Sequence, residues 1–255
     1  MTPIVISLSS FGATEVVRHG QAWFANVVRN AGADGIEIRS ELLSSPNEEL
    51  PLIAKHCHGL RVIYSCADPL FVADGTLAVD MLARAMRFAA TLGAEVVKFS
   101  IGGGANASPA QMQDLADHLH GSALRVLIEN DQSNAAESIF QLQRFFRKAA
   151  DCGLVLGMTF DIGNWHWAGE CPQLAAAAFA DRIQYVHTKG VLKQANRWVA
   201  VALANSQAPW KSLLNAMPVQ CPWAVEFPLV GEDLVDVTRK EIIHLREISG
   251  ERYVD

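Results

Sequence analysis

Eight short apolar runs alternate with eight stretches of helical periodicity along this chain. The alternation predicts an α/β fold, and the count of eight favours a closed (β/α)8 TIM barrel over an open sheet. An open doubly wound sheet would also predict a Gly-rich phosphate loop, but the glycines at 102–104 lack its spacing. No linker or charge block divides the 255 residues, so we predict a single domain over residues 1–255.

The predicted strands are short runs rich in aliphatic residues, which is typical of parallel strands covered on both faces. They span residues 4–8, 35–39, 60–65, 94–100, 126–131, 154–161, 182–188 and 223–227. Residues 190–208 are predicted as a long loop that carries Lys193, Arg197 and Trp198. Trp198 would line the pocket, contact a partner chain or pack in the ordinary way.

The predicted helices lie between these strands and have apolar residues at helical spacing. Gly32, Gly93 and Gly153 are suitable stops, and Ser108 followed by Pro109 suits an N-cap and first helical position. The helices span residues 15–30, 47–58, 74–92, 108–120, 135–150, 172–180, 206–216 and 234–248.

Four consecutive strands, the fifth to the eighth, end in a polar residue: Glu129, Asp161, His187 and Glu226. The carboxyl ends of parallel strands meet at one edge, which is where a barrel places its working residues. Three carboxylates and one imidazole predict a divalent metal site there. Such a donor set suits Mn²⁺ or Mg²⁺, with Co²⁺ and Zn²⁺ as alternatives. A metal ion at this site would polarise a hydroxy-ketone substrate and stabilise an enediolate.

Three cations lie near the same predicted edge and favour an anionic substrate. Arg39 ends the second strand, Lys98 lies in the fourth, and Lys189 follows His187 by two residues and so shares its face. A lysine within an apolar strand is costly unless it is paired. Lys98 therefore either binds a substrate anion or forms an ion pair with Glu37 or another carboxylate at a strand end.

Composition excludes several partners. The net charge of −6 and the pI near 5.7 argue against a nucleic-acid footprint. No apolar window is long enough for a membrane span, although the mean hydropathy is +0.14. The chain enters a strand-like run at once, without a basic leader, so we predict a cytoplasmic protein with no membrane partner. A homo-oligomer formed through apolar surface is left open.

The set of Glu129, Asp161, His187 and Glu226 resembles that of the xylose isomerase-like barrels, which include sugar epimerases, hydroxypyruvate isomerase, inosose dehydratase and endonuclease IV. The resemblance covers essentially the whole chain. It implies that all four bind the metal and that Glu129 and Glu226 are the catalytic proton-transfer pair. Residues 6–12, 37–42 and 129–132 most resemble the epimerase-like proteins encoded with 2-ketogluconate utilisation enzymes.

The chain departs from the sugar epimerases at two substrate-binding positions. Asn164 stands where that group has His, with His166 two residues further on, and Lys193 stands where it has Arg. The departures disfavour a free ketohexose and favour a ketose acid. We expect Asn164 and His166 to line the pocket, the alternatives being a loop N-cap and a surface histidine. Glu37 is compatible with a supporting or a substrate-binding role, as is Glu41.

The leading hypothesis is a metal-dependent isomerase or epimerase that acts on a sugar or sugar acid through an enediolate. A dehydratase that expels a neighbouring hydroxyl from the same enediolate is the first alternative. A non-catalytic sugar-acid binding protein is the second. A DNA-repair phosphodiesterase like endonuclease IV is disfavoured, because the pI is acidic and the second to fourth strands end without a histidine.

Overall fold

The computed structural model describes residues 2–132 and 138–251 and confirms the predicted barrel. Its strands are β1 (Ile4–Ser7), β2 (Gly35–Arg39), β3 (Arg61–Ser65), β4 (Val96–Phe99), β5 (Arg125–Glu129), β6 (Gly157–Asp161), β7 (Ile183–Thr188), β8 (Gly190–Gln194), β9 (Arg197–Val201) and β10 (Trp223–Val225). Eight of them close in the order β1-β10-β7-β6-β5-β4-β3-β2. All eight barrel pairings are parallel.

The helices are α1 (Ala13–His19), α2 (Gln21–Ala31), α3 (Pro46–His56), α4 (Val79–Leu92), α5 (Pro109–Leu119), α6 (Ile139–Asp151), α7 (Pro172–Phe179), α8 (Trp210–Ala216) and α9 (Leu234–Glu251). The predicted helix over 15–30 is two helices, because Gly20 interrupts it at a φ of 80°. The predicted helix over 135–150 is α6, and its first three positions lie outside the described residues. None of the described helices has the length and apolar content needed to cross a membrane.

The prediction of a loop over 190–208 was wrong for residues 190–201. Strands β8 and β9 form an antiparallel hairpin that pairs Gly190 with Val201 and Gln194 with Arg197. Its turn has Ala195 in the left-handed region, at a φ of 51°. The hairpin follows β7 directly, so it begins at the edge of the barrel where His187 lies.

The inside of the barrel consists of two layers of different chemistry. An apolar cluster, separate from the main core between strands and helices, takes one residue from each of six strands: Val5, Ile63, Val96, Leu127, Tyr185 and Ala224. Side chains two residues further along a strand point the same way. Those positions hold Ser7, Ser65, Lys98, Glu129, His187 and Glu226. The apolar cluster is therefore a floor beneath a polar layer at the carboxyl edge.

Candidate metal centre

Four side chains from neighbouring strands converge above this floor. Glu129 and Asp161 end β5 and β6, His187 lies in β7, and Glu226 follows β10. One ligand-type atom from each lies within 4.8 Å of the others. His187 Nδ1 is 3.1 Å from Glu129 Oε1, 3.7 Å from Asp161 Oδ2 and 2.8 Å from Glu226 Oε2. The predicted convergence of these four residues is thus present.

Each of the three carboxylates presents one oxygen to His187 Nδ1 and has its second oxygen held by the protein. We call the first set the inner oxygens (Glu129 Oε1, Asp161 Oδ2, Glu226 Oε2) and the second set the outer oxygens. The donors to the outer oxygens are Lys98 Nζ for Glu129 (2.6 Å), the Gly163 and Asn164 N–H groups for Asp161 (2.7 and 3.0 Å) and Arg39 Nη1 for Glu226 (2.9 Å). The carboxylates are therefore oriented before any ligand arrives.

Glu37 holds the far side of the imidazole in the same way. Its Oε2 lies 2.8 Å from His187 Nε2 and also accepts a hydrogen bond from the Tyr185 hydroxyl at 3.0 Å. Its Oε1 accepts from the Ser7 hydroxyl at 3.1 Å and from Arg39 at 2.9 Å. Glu37 has no solvent-exposed surface, which favours the supporting role over contact with a substrate.

The cations near the edge neutralise carboxylates instead of facing an open mouth. Lys98 is fully buried and forms ion pairs with Glu129 at 2.6 Å and with Glu37 at 3.3 Å. Arg39 pairs with Glu37 and Glu226, both at 2.9 Å, and with Glu41 at 2.8 Å. Of the two roles considered for Lys98, an ion pair and a contact with a substrate anion, the structure shows the ion pair. The cations therefore give less support to an anionic substrate than the sequence suggested.

Lys189 shares the face of His187, as the strand period predicts. Its Nζ lies 2.7 Å from Asp161 Oδ2 and 2.8 Å from Glu226 Oε2, both of them inner oxygens. It also donates a hydrogen bond to Asn164 Oδ1 at 3.0 Å. Asn164 is buried and donates in turn to the Asn130 carbonyl at 2.8 Å, so it braces the loops around the site.

The field of these cations keeps the two candidate catalytic glutamates ionised. Burial alone would raise the pKa of Glu129, but Lys98 and then His187 outweigh burial and lower the pKa to about 2. Burial also opposes ionisation of Glu226, yet His187 and Lys189 hold its pKa well below the usual range. For His187, Glu226 foremost among the carboxylates outweighs burial and raises the pKa well above its ordinary value.

The residues present fit a divalent metal ion. Asp161 Oδ2 is buried and accepts no hydrogen bond from the described part of the chain, although the Lys189 ammonium lies beside it. A buried carboxylate oxygen without a directed donor is unusual unless a cation completes its surroundings. Three inner oxygens and one imidazole nitrogen form the oxygen-rich donor set that Mn²⁺, Mg²⁺, Co²⁺ or Zn²⁺ accepts.

His166 lies apart from the four converging residues. It is half-buried, and its ring centroid is 5.0 Å from that of Trp198 on β9. Burial lowers the pKa of His166 and favours the neutral imidazole. Lys193 Nζ lies 5.6 Å from the centroid of the Trp198 ring. The hairpin thus brings an aromatic side chain and a cation close to one of the predicted pocket residues.

Two supporting residues were missed by the sequence reasoning. Asn130 pairs with both backbone groups of Asp161, accepting from its N–H at 2.9 Å and donating to its carbonyl at 3.0 Å. Gln21 does the same for Arg39, accepting at 2.9 Å and donating at 2.8 Å. Asn130 directly follows Glu129, and that adjacency was an available signal. Gln21 is the first residue of α2, 18 residues before Arg39, and nothing in the sequence links the two side chains.

Comparison with known proteins agrees with the fold. A family model described as "Xylose isomerase-like TIM barrel" matches residues 25–248. Comparison of the sequence with characterised proteins gives no significant match.

Several solved structures are similar to this chain over nearly its full length. A xylose isomerase domain containing protein from Salmonella typhimurium LT2 has 14% identity and a TM-score of 0.71, with 97% of each chain covered. The D-allulose 3-epimerase from Methylomonas sp., crystallised with D-allulose, has 16% identity and a TM-score of 0.68, with 96% of each chain covered. The 3-keto-D-glucoside 4-epimerase from E. coli has 14% identity and a TM-score of 0.64, covering 97% of this chain and 100% of that one. These likenesses show a shared fold.

Proposed function

Because this chain belongs to the xylose isomerase-like TIM barrel family, we propose that it is a divalent-metal-dependent isomerase or epimerase of a sugar or sugar acid. The observation that carries this proposal is the division of each carboxylate into an inner and an outer oxygen. The three inner oxygens lie within 3.7 Å of His187 Nδ1, and protein donors hold the outer oxygens. Side chains fixed in this way need little reorganisation to hold a cation.

The metal, Mn²⁺ or Mg²⁺ in the first instance, would be held by Glu129, Asp161, His187 and Glu226. When bound, it supplies polarisation of a substrate carbonyl and charge stabilisation for an enediolate. The remaining chemistry belongs to the protein: removing a proton from the carbon beside the carbonyl and returning one.

Glu129 and Glu226 are the proposed proton-transfer pair. Strands β5 and β10 are separated in the barrel by β6 and β7, so the two carboxylates approach from different sides. Both have a small exposed fraction, 14% and 10% of the side chain, which leaves each an edge for a substrate. Their lowered pKa values mean that both begin as bases at neutral pH. In epimerisation one glutamate would take the proton from the substrate carbon, and the other, after taking up a proton from solvent, would deliver it to the opposite face.

The proposal is tested by solvent exchange. The protein is loaded with Mn²⁺ or Mg²⁺ and incubated in D₂O with a panel of ketoses and ketose acids, and NMR follows deuterium entering beside the carbonyl. Glu129→Gln and Glu226→Gln should each slow the exchange by about 10²–10⁴-fold. The metal content of each variant is measured in parallel, because both residues are also proposed ligands.

Full exchange in both variants with metal bound would contradict the proposed proton-transfer pair. Mass spectrometry of the products distinguishes the reaction types. An isomer has the mass of the substrate, whereas a dehydratase product is lighter by one water. Tight binding of a sugar acid without exchange or turnover would instead indicate a binding protein.

A further inference from the structure

We propose that Lys189 is a tethered counter-cation of the metal centre, and that a divalent ion entering the site displaces its ammonium from the inner oxygens. In the metal-free protein the ammonium would keep the ligand set assembled, and it would lower the affinity for the metal. The inference rests on the proposed metal centre and concerns a residue outside the four proposed ligands.

The contacts of Lys189 differ from those of the other cations around the site. Lys98 and Arg39 contact outer oxygens, Glu129 Oε2 and Glu226 Oε1, and so leave the inner oxygens free. Lys189 Nζ lies against two inner oxygens, Asp161 Oδ2 at 2.7 Å and Glu226 Oε2 at 2.8 Å. A metal ion needs the same two atoms, and Lys189 therefore competes with it for them.

The ammonium is held at these two oxygens chiefly by charge. Asp161 Oδ2 accepts no hydrogen bond within the described part of the chain, although Lys189 Nζ is 2.7 Å away. The directed hydrogen bond of the ammonium goes to Asn164 Oδ1, at 3.0 Å. That bond anchors the ammonium at a neutral acceptor outside the four proposed ligands.

Electrostatics gives the direction of the effect. Four buried or nearly buried carboxylates (Glu37, Glu129, Asp161, Glu226) face three permanently charged cations (Arg39, Lys98, Lys189). Without Lys189, Asp161 Oδ2 would lose the ammonium beside it and Glu226 Oε2 would keep only His187, so the carboxylates of the metal-free centre would repel one another more strongly. With a divalent ion bound, an ammonium at the same oxygens would be a like charge at close range, which is unfavourable where screening is weak.

Metal affinity gives the first test. Calorimetric titration with Mn²⁺ compares wild type with Lys189→Met, which keeps the bulk of the side chain and removes its charge. We expect Lys189→Met to bind Mn²⁺ about tenfold more tightly or better. Lys98→Met is the matched control, because it removes another buried lysine, one that contacts an outer oxygen. Unchanged or weaker binding by Lys189→Met would overturn the inference, as would an equal gain in Lys98→Met, since net charge alone would then explain both.

Thermal unfolding gives an independent readout. Lys189→Met should melt at a lower temperature than wild type without metal, and saturating Mn²⁺ should raise its Tm by more than it raises that of wild type. An equal rise in the two proteins would contradict displacement.

Crystals of wild type grown with and without Mn²⁺ cover the case in which Lys189→Met does not fold. Lys189 Nζ should leave at least one of the two inner oxygens when the ion is bound. An ammonium that stays within ion-pair distance of both would overturn the inference and leave the metal centre intact. Wild type that binds no divalent ion would overturn the proposed function together with the inference.

Discussion

Glu37 and His187 face each other across 2.8 Å, with neither side chain exposed to solvent. Lys98 and His187 overcome the effect of burial and hold the pKa of Glu37 well below its usual range. The ionised carboxylate can only accept, so His187 Nε2 carries the hydrogen and Nδ1 is the atom turned toward the inner oxygens. A carboxylate behind a histidine ligand is a recurrent way of fixing ring orientation and tautomer in metal sites.

We predict that Glu37→Gln weakens metal binding by about 10–100-fold. The amide would present two donors to a pocket in which His187, Tyr185 and Arg39 already donate. Titration calorimetry measures the affinity, and ¹⁵N NMR of His187 reports the tautomer. Glu41→Gln is the control, since Glu41 contacts Arg39 but not the histidine. Wild-type affinity in Glu37→Gln would show that another contact orients the ring.

Asn130→Ala should lower the free energy of unfolding by about 1–3 kcal/mol, because it leaves the buried N–H and carbonyl of Asp161 without partners. Metal affinity should fall as well, since Asp161 would no longer be held in register with His187. Urea unfolding and metal titration measure the two effects. Gln132→Ala is the comparison, because the exposed Gln132 contacts Asn164 and not the backbone of Asp161. Equal losses in both variants would contradict a specific role for Asn130.

Stability should decrease in acid as the buried carboxylates become protonated. The pKa of Glu129 is lowered from 4.5 to about 2 in the folded protein, so the unfolded chain binds more protons below about pH 4.5. The stabilisation that Glu129 contributes is therefore fully present above about pH 4.5. The free energy of unfolding then decreases as the pH falls from 4.5 toward 2. Urea titrations between about pH 7 and pH 3 measure the slope. Glu129→Gln should have a shallower slope, and an unchanged slope would assign the acid sensitivity elsewhere.

Trp198→Ala should raise KM more than it lowers kcat if the hairpin helps to bind the substrate. The ring stands beside His166, where a sugar could pack its C–H face against it. We expect roughly a tenfold rise in KM, equivalent to about 1.4 kcal/mol of binding. Steady-state kinetics separates the two constants. Trp23→Ala on α2 is the control for loss of an exposed tryptophan. A fall in kcat alone would place Trp198 with the reacting groups instead.

The barrel and the convergence of four residues were predictable because the local sequence shows where each of these strands ends. An apolar run followed by Glu, Asp or His needs no tertiary information to be recognised, and parallel strands bring those endings together. The hairpin was not predictable in the same way. Its turn at Ala195 and Asn196 lacks the Asn-Gly or Asp-Gly pair that marks a short hairpin, so residues 190–208 resembled a loop.

The pairing of charges was also beyond the sequence. Lys98, Arg39 and Lys189 were correctly placed near the edge, yet which carboxylate each one meets depends on the register of β2 against β3 and on the closure of β1 against β10. Glu37 could be either a support or a substrate contact until its neighbours were known. The alternation along a strand shows which face of the sheet a side chain occupies. Only the folded structure shows whether a charged side chain on that face is already paired with an opposite charge.

The apolar floor beneath the polar layer determines from which side a small molecule can reach the candidate metal centre. Six packed side chains, among them Ile63, Leu127 and Tyr185, block the barrel axis below the candidate centre. Whatever reaches Glu129 and Glu226 must arrive from the carboxyl edge and depart by that route. In the proposed isomerase, substrate and product would share this one opening, so a product still bound would exclude the next substrate.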